Sequence, residues 1–136
     1  MKKATREWVG KAEDDYRLAA KLARGSERFH DQLCFHSQQS AEKYLKALLE
    51  ELGIYVEKTH DLDRLLTPLL LHYASLRSFR RGLKFLTNFA VGIRYPGDRA
   101  TKRQAVSARR WAGLVRDACR ALLGLRPARP RRRRSP

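Results

Sequence analysis

One segment of the sequence carries polar side chains with the types and spacing of a ligand-binding surface. At intervals of three or four residues it places His36, Gln39, Lys43 and Lys46. On an α-helix these side chains share a face, and they put an imidazole, an amide and two ammonium groups in a column about 15 Å long. Such a column suits a phosphate or the edge of a nucleobase. The alternative is an exposed face on which the two lysines pair with Glu42 and Glu50.

His60 is a second candidate, because it follows Thr59, a residue type that often caps the N-terminus of a helix. In a first helical turn the positive end of the dipole favours a neutral imidazole that binds through hydrogen bonds. The alternative is a histidine that closes a loop against the preceding helix. The four histidines of the chain include no pair four residues apart, so neither a metal site nor a cofactor is expected.

A third candidate surrounds the turn Tyr95-Pro96-Gly97-Asp98. Arg94 and Arg99 flank this turn just before a predicted helix, where free backbone N–H groups also attract anions. Tyr95 could stack on a base. The alternative is that Tyr95 packs against the bundle while Arg94 pairs with Asp98 or caps a helix.

The basic residues are concentrated in the second half of the chain. Residues 1–75 hold 12 basic and 12 acidic side chains, whereas residues 76–136 hold 18 basic side chains against Asp98 and Asp117. Part of this excess forms a predicted ridge on the last helix, which includes Arg109, Arg116 and Arg120. Another part is a predicted nucleic-acid-binding tail of arginines: Arg126, Arg129, Arg131, Arg132, Arg133 and Arg134. Both could hold a phosphate backbone without reading its sequence, and the alternative is a general arginine bias.

Apolar residues recur every three or four positions and almost never alternate with polar ones, which predicts an all-α protein. Four of the expected helices cover about residues 4–24, 28–52, 75–93 and 100–123. The third in chain order has Thr59 as its expected N-cap and an apolar stripe that comprises Leu62, Leu65, Leu66, Leu69 and Leu70. Pro68 should kink or end that third helix. Short connections favour an up-and-down bundle of four to five antiparallel helices over residues 1–124. The Arg/Pro-rich residues 125–136 are predicted to be a disordered tail.

Several apolar side chains lie off the main helical stripes, among them Phe85, Phe89 and Trp111. They predict either the face of a symmetric dimer or a broader core within one chain. Cys34 and Cys119 fall on apolar stripes, so we expect both to be reduced core residues in a cytoplasmic protein. The sequence has neither a signal peptide nor an apolar run long enough for a membrane span, and no membrane partner is expected.

Several unusual polar residues occur together in a distinctive order along the chain. The pattern begins with Trp8-x3-Ala12-x2-Asp15-x3-Ala19 and continues with the segment from Cys34-Phe35-His36-x-Gln38-Gln39 to Lys46-Ala47-Leu48. It then takes in Gly53, Thr59-His60-x-Leu62 and finally Arg94-Tyr95-Pro96. In these residues the chain resembles the HEPN domain family of small helical domains. The resemblance implies a helical bundle, usually a homodimer, that binds a nucleotide or RNA and is often encoded beside a minimal nucleotidyltransferase. Such pairs often act as toxin–antitoxin or defence modules.

Many members of the family are RNases that use an arginine followed four to six residues later by a histidine. In this sequence no histidine follows Arg94, and the pair Arg24 and His30 lies at the wrong place in the family pattern. The sequence therefore favours a non-catalytic partner of a nucleotidyltransferase. The alternatives are a metal-independent RNase toxin with a non-standard site built from Arg94, His60 and His36, and a nonspecific nucleic-acid binder that uses the basic half of the chain.

Overall fold

The protein consists of helices that pack around one central helix. The computed structural model describes residues 1–91 and 96–126, and within these ranges every regular element is helical. In chain order the elements are α1 (Lys3–Arg24), α2 (His30–Glu51), α3 (Leu62–Leu69), a 3₁₀-helix (Ala74–Phe79), α4 (Arg80–Thr87) and α5 (Lys102–Leu122). The predicted all-α, up-and-down bundle is confirmed.

Helix α2 lies at the centre and packs against α1, α3, α4 and α5. Because neighbours cover it on several sides, 13 of its 22 residues are buried. Its apolar stripe runs through Tyr44, Leu45 and Leu48, all at most 1% exposed. The same burial takes in polar side chains of α2, among them Gln38, Glu42 and Lys46.

The C-termini of α2 and α5 are closed by the same backbone motif. Gly53 and Gly124 both have φ of +71°, the left-handed conformation that costs glycine least. After each glycine the chain turns back on the helix: Ile54 N donates to Leu49 O at 3.0 Å, and Leu125 N donates to Arg120 O at 2.8 Å. The predicted end of the second helix at Gly53 is confirmed.

Helix α3 begins later than expected. Its N-cap is Asp61, whose side chain accepts a hydrogen bond from Asp63 N, so the prediction that Thr59 caps this helix is wrong. Thr59 instead accepts a hydrogen bond from Asp61 N at 3.1 Å and shapes the turn before the helix. The helix ends at Leu69, one residue after Pro68, as the missing proline N–H predicts.

The predicted helix over residues 75–93 is shorter and less regular in the structure. It starts as the 3₁₀-helix, becomes α4 at Arg80 and ends at Thr87. The next hydrogen bonds, Phe89 N to Leu86 O and Ala90 N to Thr87 O, span three residues instead of four. This tightening turns Phe89 and Ala90 into the core and ends the helix.

The apolar side chains that lie off the main stripes pack inside this one chain. Phe89 is 6% exposed and meets Phe85 edge to face with ring centroids 5.2 Å apart. Trp111 of α5 lies directly against Gly82 of α4. A broader core of the single chain therefore accounts for all three aromatic side chains, and the homodimer stays a prediction.

Both cysteines are core residues, as expected. Cys34 and Cys119 are free and fully buried. Among the described helices none is long and apolar enough to cross a membrane.

Candidate functional site

Two carboxylates bind most of the polar side chains that α2 contributes to the candidate site. The first is Asp15, which α1 presents to α2. Its Oδ1 lies 2.9 Å from His36 Nδ1, and its Oδ2 accepts a hydrogen bond from Lys43 Nζ. Asp15 is 12% exposed and the two partner side chains are 22–24% exposed, so this group is largely covered between the two helices.

The second carboxylate is Glu42, a residue of α2 that is only 3% exposed. It accepts hydrogen bonds from Lys46 Nζ at 3.0 Å and Gln38 Nε2 at 3.3 Å, and it lies 2.7 Å from His60 Nδ1. A buried carboxylate is tolerated only when such partners compensate its lost hydration. Glu42 therefore fixes the positions of all three side chains.

His60 joins this interior network to the surface. Gln38 Nε2 also donates to the His60 carbonyl at 3.2 Å, so backbone and side chain of His60 are both held against α2. Its side chain is nevertheless 57% exposed. Because Nδ1 faces Glu42, Nε2 is the ring nitrogen left for a ligand. A carboxylate behind an imidazole orients the ring and selects its tautomer, as in many acid–base sites.

Gln39 and Trp8 complete this surface. Gln39 Nε2 donates to Gln38 Oε1 at 2.7 Å, and the Lys46 ammonium lies 5.5 Å from the centre of the Trp8 ring. The indole of α1 thus covers the cation that Glu42 neutralises. We call the whole group the α2 polar strip, which comprises Trp8, Asp15, His36, Gln38, Gln39, Glu42, Lys43, Lys46 and His60.

The strip differs from the open basic column that the sequence predicts. Lys43 and Lys46 are each paired with a carboxylate, and α1 covers part of both. The alternative is that both lysines pair with Glu42 and Glu50 on an exposed face. Of these pairs the structure has Lys46 with Glu42, and that pair is buried. The strip offers the imidazole of His60, the amide of Gln39 and the indole of Trp8, while both of its lysines are paired with carboxylates. Such a surface suits a base or a ribose better than a lone phosphate.

The predicted ridge on α5 is wrong for two of its arginines. Arg116 is 8% exposed and donates two hydrogen bonds to Glu13 of α1, from Nε to Oε1 at 2.5 Å and from Nη2 to Oε2 at 3.0 Å. Arg120 lies 3.8 Å from Glu13 and 3.4 Å from the Tyr44 hydroxyl, which itself donates to Glu13. These cations face the core because α5 packs its inner side against α2, so they are not available to a phosphate backbone.

Ionisation of this buried group follows from its contacts. Burial raises the pKa of Glu13, but the hydrogen bonds from Arg116 and Tyr44 outweigh it, so the pKa lies below the ordinary value of 4.5. The hydrogen bond to Glu13 raises the pKa of Arg116, and burial raises that of Tyr44. The carboxylate and the guanidinium are therefore charged in the folded protein at neutral pH.

Some predicted site residues lie outside the described ranges. They are Arg94, Tyr95 and five of the tail arginines: Arg129, Arg131, Arg132, Arg133 and Arg134. Arg99 is described and exposed. Arg126 is also exposed, and its carbonyl accepts a hydrogen bond from Arg120 Nε at 3.0 Å.

His36 and His60, which the RNase alternative combines, bind different carboxylates. Within residues 1–91 and 96–126, no three His, Cys, Asp or Glu side chains are grouped so that they could hold a metal ion.

Neither carboxylate that organises the site is predicted as a site residue from the sequence. Asp15 enters there only through the family resemblance, and Glu42 only through the alternative pairing with the two lysines. One signal was present, since Gln38, Glu42 and Lys46 recur every four residues beside the apolar stripe of α2. A polar row next to the core of a central helix indicates buried hydrogen bonds.

The similarity to known proteins agrees with this fold. The sequence matches the HEPN domain over residues 5–122. An archaeal HEPN homologue, ST0689, is similar in crystal structure with a TM-score of 0.73 at 25% identity, covering 90% of this chain and 99% of that one. The crystal structure of TT1696 from Thermus thermophilus also gives a TM-score of 0.73 at 25% identity, covering 86% of this chain and 96% of the other. No curated protein matches the sequence. With the family pattern spanning nearly all of the bundle, the chain belongs to the HEPN domain family.

Proposed function

We propose that this HEPN domain binds a nucleotide or RNA through the α2 polar strip, as a homodimer and as the non-catalytic partner of a minimal nucleotidyltransferase in a toxin–antitoxin-like or defence module. The observation that supports binding is the hydrogen-bonding surface around His60 and Gln39, held in place by buried Glu42. The non-catalytic role is supported by residues 95–136, which contain no histidine to complete the RNase motif of the family.

One contact favours a second candidate, a metal-independent RNase. Glu42 lies 2.7 Å from His60 Nδ1, an arrangement that could let His60 Nε2 accept the proton of a ribose 2′-hydroxyl. Such a reaction also needs a cation at the phosphate. Lys43 and Lys46 are already paired with carboxylates, so this candidate depends on Arg94.

An RNA-binding and cleavage experiment separates the two candidates. We expect labelled single-stranded RNA and nucleoside triphosphates to bind the purified protein, and His60→Ala and Gln39→Ala to weaken binding by about tenfold, the loss of one to two good hydrogen bonds. His72→Ala is the matched control, because His72 is an exposed histidine outside the strip. Isothermal titration calorimetry or fluorescence anisotropy measures the affinities.

The same samples, incubated with RNA in the presence of EDTA, test for catalysis. Intact RNA on a denaturing gel agrees with the non-catalytic proposal. Cleavage that disappears in both His60→Ala and Arg94→Ala would instead establish the RNase. Equal affinity of His60→Ala, His72→Ala and the unaltered protein for every ligand would contradict binding through the strip.

A further inference from the structure

A groove that is separate from the α2 polar strip has no role in the proposed function. It lies between the C-terminal half of α1, the connection at residues 25–29, the first turn of α2 and the outer side of α5, and its volume is about 710 Å³. No residue of the strip lines it.

The groove is long. It follows α5 from Lys102 to Asp117, which corresponds to roughly 22 Å at 1.5 Å per helical residue. This is the length of about four helical turns, so the shape suits an elongated ligand such as a helix better than a compact small molecule.

The floor of the groove is apolar and open to solvent. Three large apolar side chains that line it are exposed: Phe29 by 42%, Val106 by 61% and Leu114 by 39%. Leu22 and Leu33 lie beside them, half-buried and buried. Apolar surface grouped in a concave site between two helices is typical of positions where another chain docks.

The rim of the groove is basic. Four cations line it: Arg28, Lys102, Arg109 and Arg110. None of these four forms an ion pair with another described residue, whereas Arg116 and Arg120 of α5 both face Glu13. The rim acids are Glu27 and Asp117, and Asp117 lies 3.4 Å from Arg116. Arg109 also has a buried Nε without a hydrogen-bond partner in the described part of the chain.

We propose that this groove docks an amphipathic helix of a protein partner, with an apolar stripe on the floor and Asp or Glu residues at the basic rim. The apolar spacing on the partner would be three or four residues, as in other helices that bind in grooves. Single-stranded nucleic acid fits less well, because its bases need aromatic stacking surfaces and Phe29 is the single well-exposed aromatic side chain among the lining residues. The rim cations give the site its preference for an acidic partner.

The test uses a fluorescent synthetic helix of about 18 residues with leucines at positions i, i+3, i+4 and i+7 and glutamates at its flanks. We expect it to bind the full chain saturably. Leu114→Glu and Arg110→Glu should each weaken binding about tenfold or more, because they place a negative charge on the floor or the rim. Leu71→Glu and Lys84→Glu are matched controls outside the groove, at a 90% exposed leucine and an exposed lysine, and should change the affinity less than twofold.

Other outcomes would overturn the proposal. A scrambled peptide of the same composition that binds equally well, or an equal loss in Lys84→Glu, would mean that net charge alone attracts the probe. Displacement of the peptide by a single-stranded oligonucleotide, with the same dependence on Leu114, would assign the groove to nucleic acid. If the protein is a dimer that becomes monomeric in Leu114→Glu, and the peptide does not dissociate this dimer, the groove would be assigned to a second copy of the chain.

Discussion

Glu42 shows how one buried residue sets the chemistry of the candidate site. A carboxylate that is 3% exposed needs donors on most of its lone pairs, and Lys46, Gln38 and His60 surround it. His60 is therefore positioned by the core, although most of its side chain faces solvent. The ring that a ligand would meet at Nε2 is thus held from behind by a buried residue.

The two cysteines give a prediction at the same scale. Burial, with a contribution from the Asp31 charge, raises the pKa of Cys34 to about 12, and burial also raises the pKa of Cys119. Because the thiolate is the reactive form, iodoacetamide at about pH 8 should label neither cysteine in the folded protein and both in denaturant. Intact-mass spectrometry counts the labels. Rapid labelling of either residue under native conditions would contradict the buried positions.

Single elements differ in how far local sequence determined them. The ends of α2 and α5 depend on glycines that adopt positive φ, and such signals are local. The segment after α3 is less regular, and it makes contacts with distant residues: the Thr87 side chain of α4 accepts a hydrogen bond from Leu62 N at 3.1 Å. A contact between residues 25 positions apart is not encoded in the periodicity of either segment.

Gly82 gives a prediction for the packing of α4 on α5. A Cβ at this position would overlap the Trp111 ring. Although alanine favours helices, Gly82→Ala should lower the free energy of unfolding by about 1–3 kcal/mol, the usual cost of overpacking. Urea denaturation followed by circular dichroism measures the change.

Gly10→Ala is the matched control for that substitution. Gly10 lies inside α1 with no atom within 4 Å of an added Cβ. There alanine should raise the free energy of unfolding by about 0.5–1 kcal/mol through helix propensity alone. If both variants shift the urea midpoint in the same direction, the contact of Gly82 with Trp111 does not prevent α4 and α5 from accommodating an alanine.

For the molecule as a whole, the ion pair of Glu13 and Arg116 connects α1 to α5 beside the central helix. Arg116 also lies over the Tyr16 ring, 4.9 Å from its centre, so the guanidinium is held from two sides. The pair fixes the relative position of two helices that both border the groove. Arg116 of the strongly basic helix α5 thus stabilises the packing of the bundle.

The depressed pKa of Glu13 makes this connection dependent on pH. A carboxyl whose pKa is lower in the folded than in the unfolded state contributes stability above its ordinary pKa of 4.5, and that stability is lost as the pH falls through the folded value. Glu13→Gln should therefore cost about 1–3 kcal/mol at neutral pH, the contribution of hydrogen bonds to a charged group. Its difference from the unaltered protein should shrink in acid.

Urea titrations at neutral and acidic pH measure this difference. Glu7→Gln is the control, because Glu7 is an exposed residue of α1 without a hydrogen bond to another described side chain. A stability difference for Glu13→Gln that stays constant across the acid range would show that the pair does not titrate as proposed.

The sequence alone determined the all-α class, the three long helices, the glycine-terminated ends and the family, because each follows from periodicity or residue type over short stretches of chain. It also identified His36, Lys43 and His60 as functional candidates. The tertiary structure decided their partners: Lys43 meets Asp15, 28 positions away, and Arg116 meets Glu13, 103 positions away. Such pairs depend on how packed helices are rotated and shifted along one another. Helical periodicity defines the face of a residue, but only the packing of the bundle defines what that face meets.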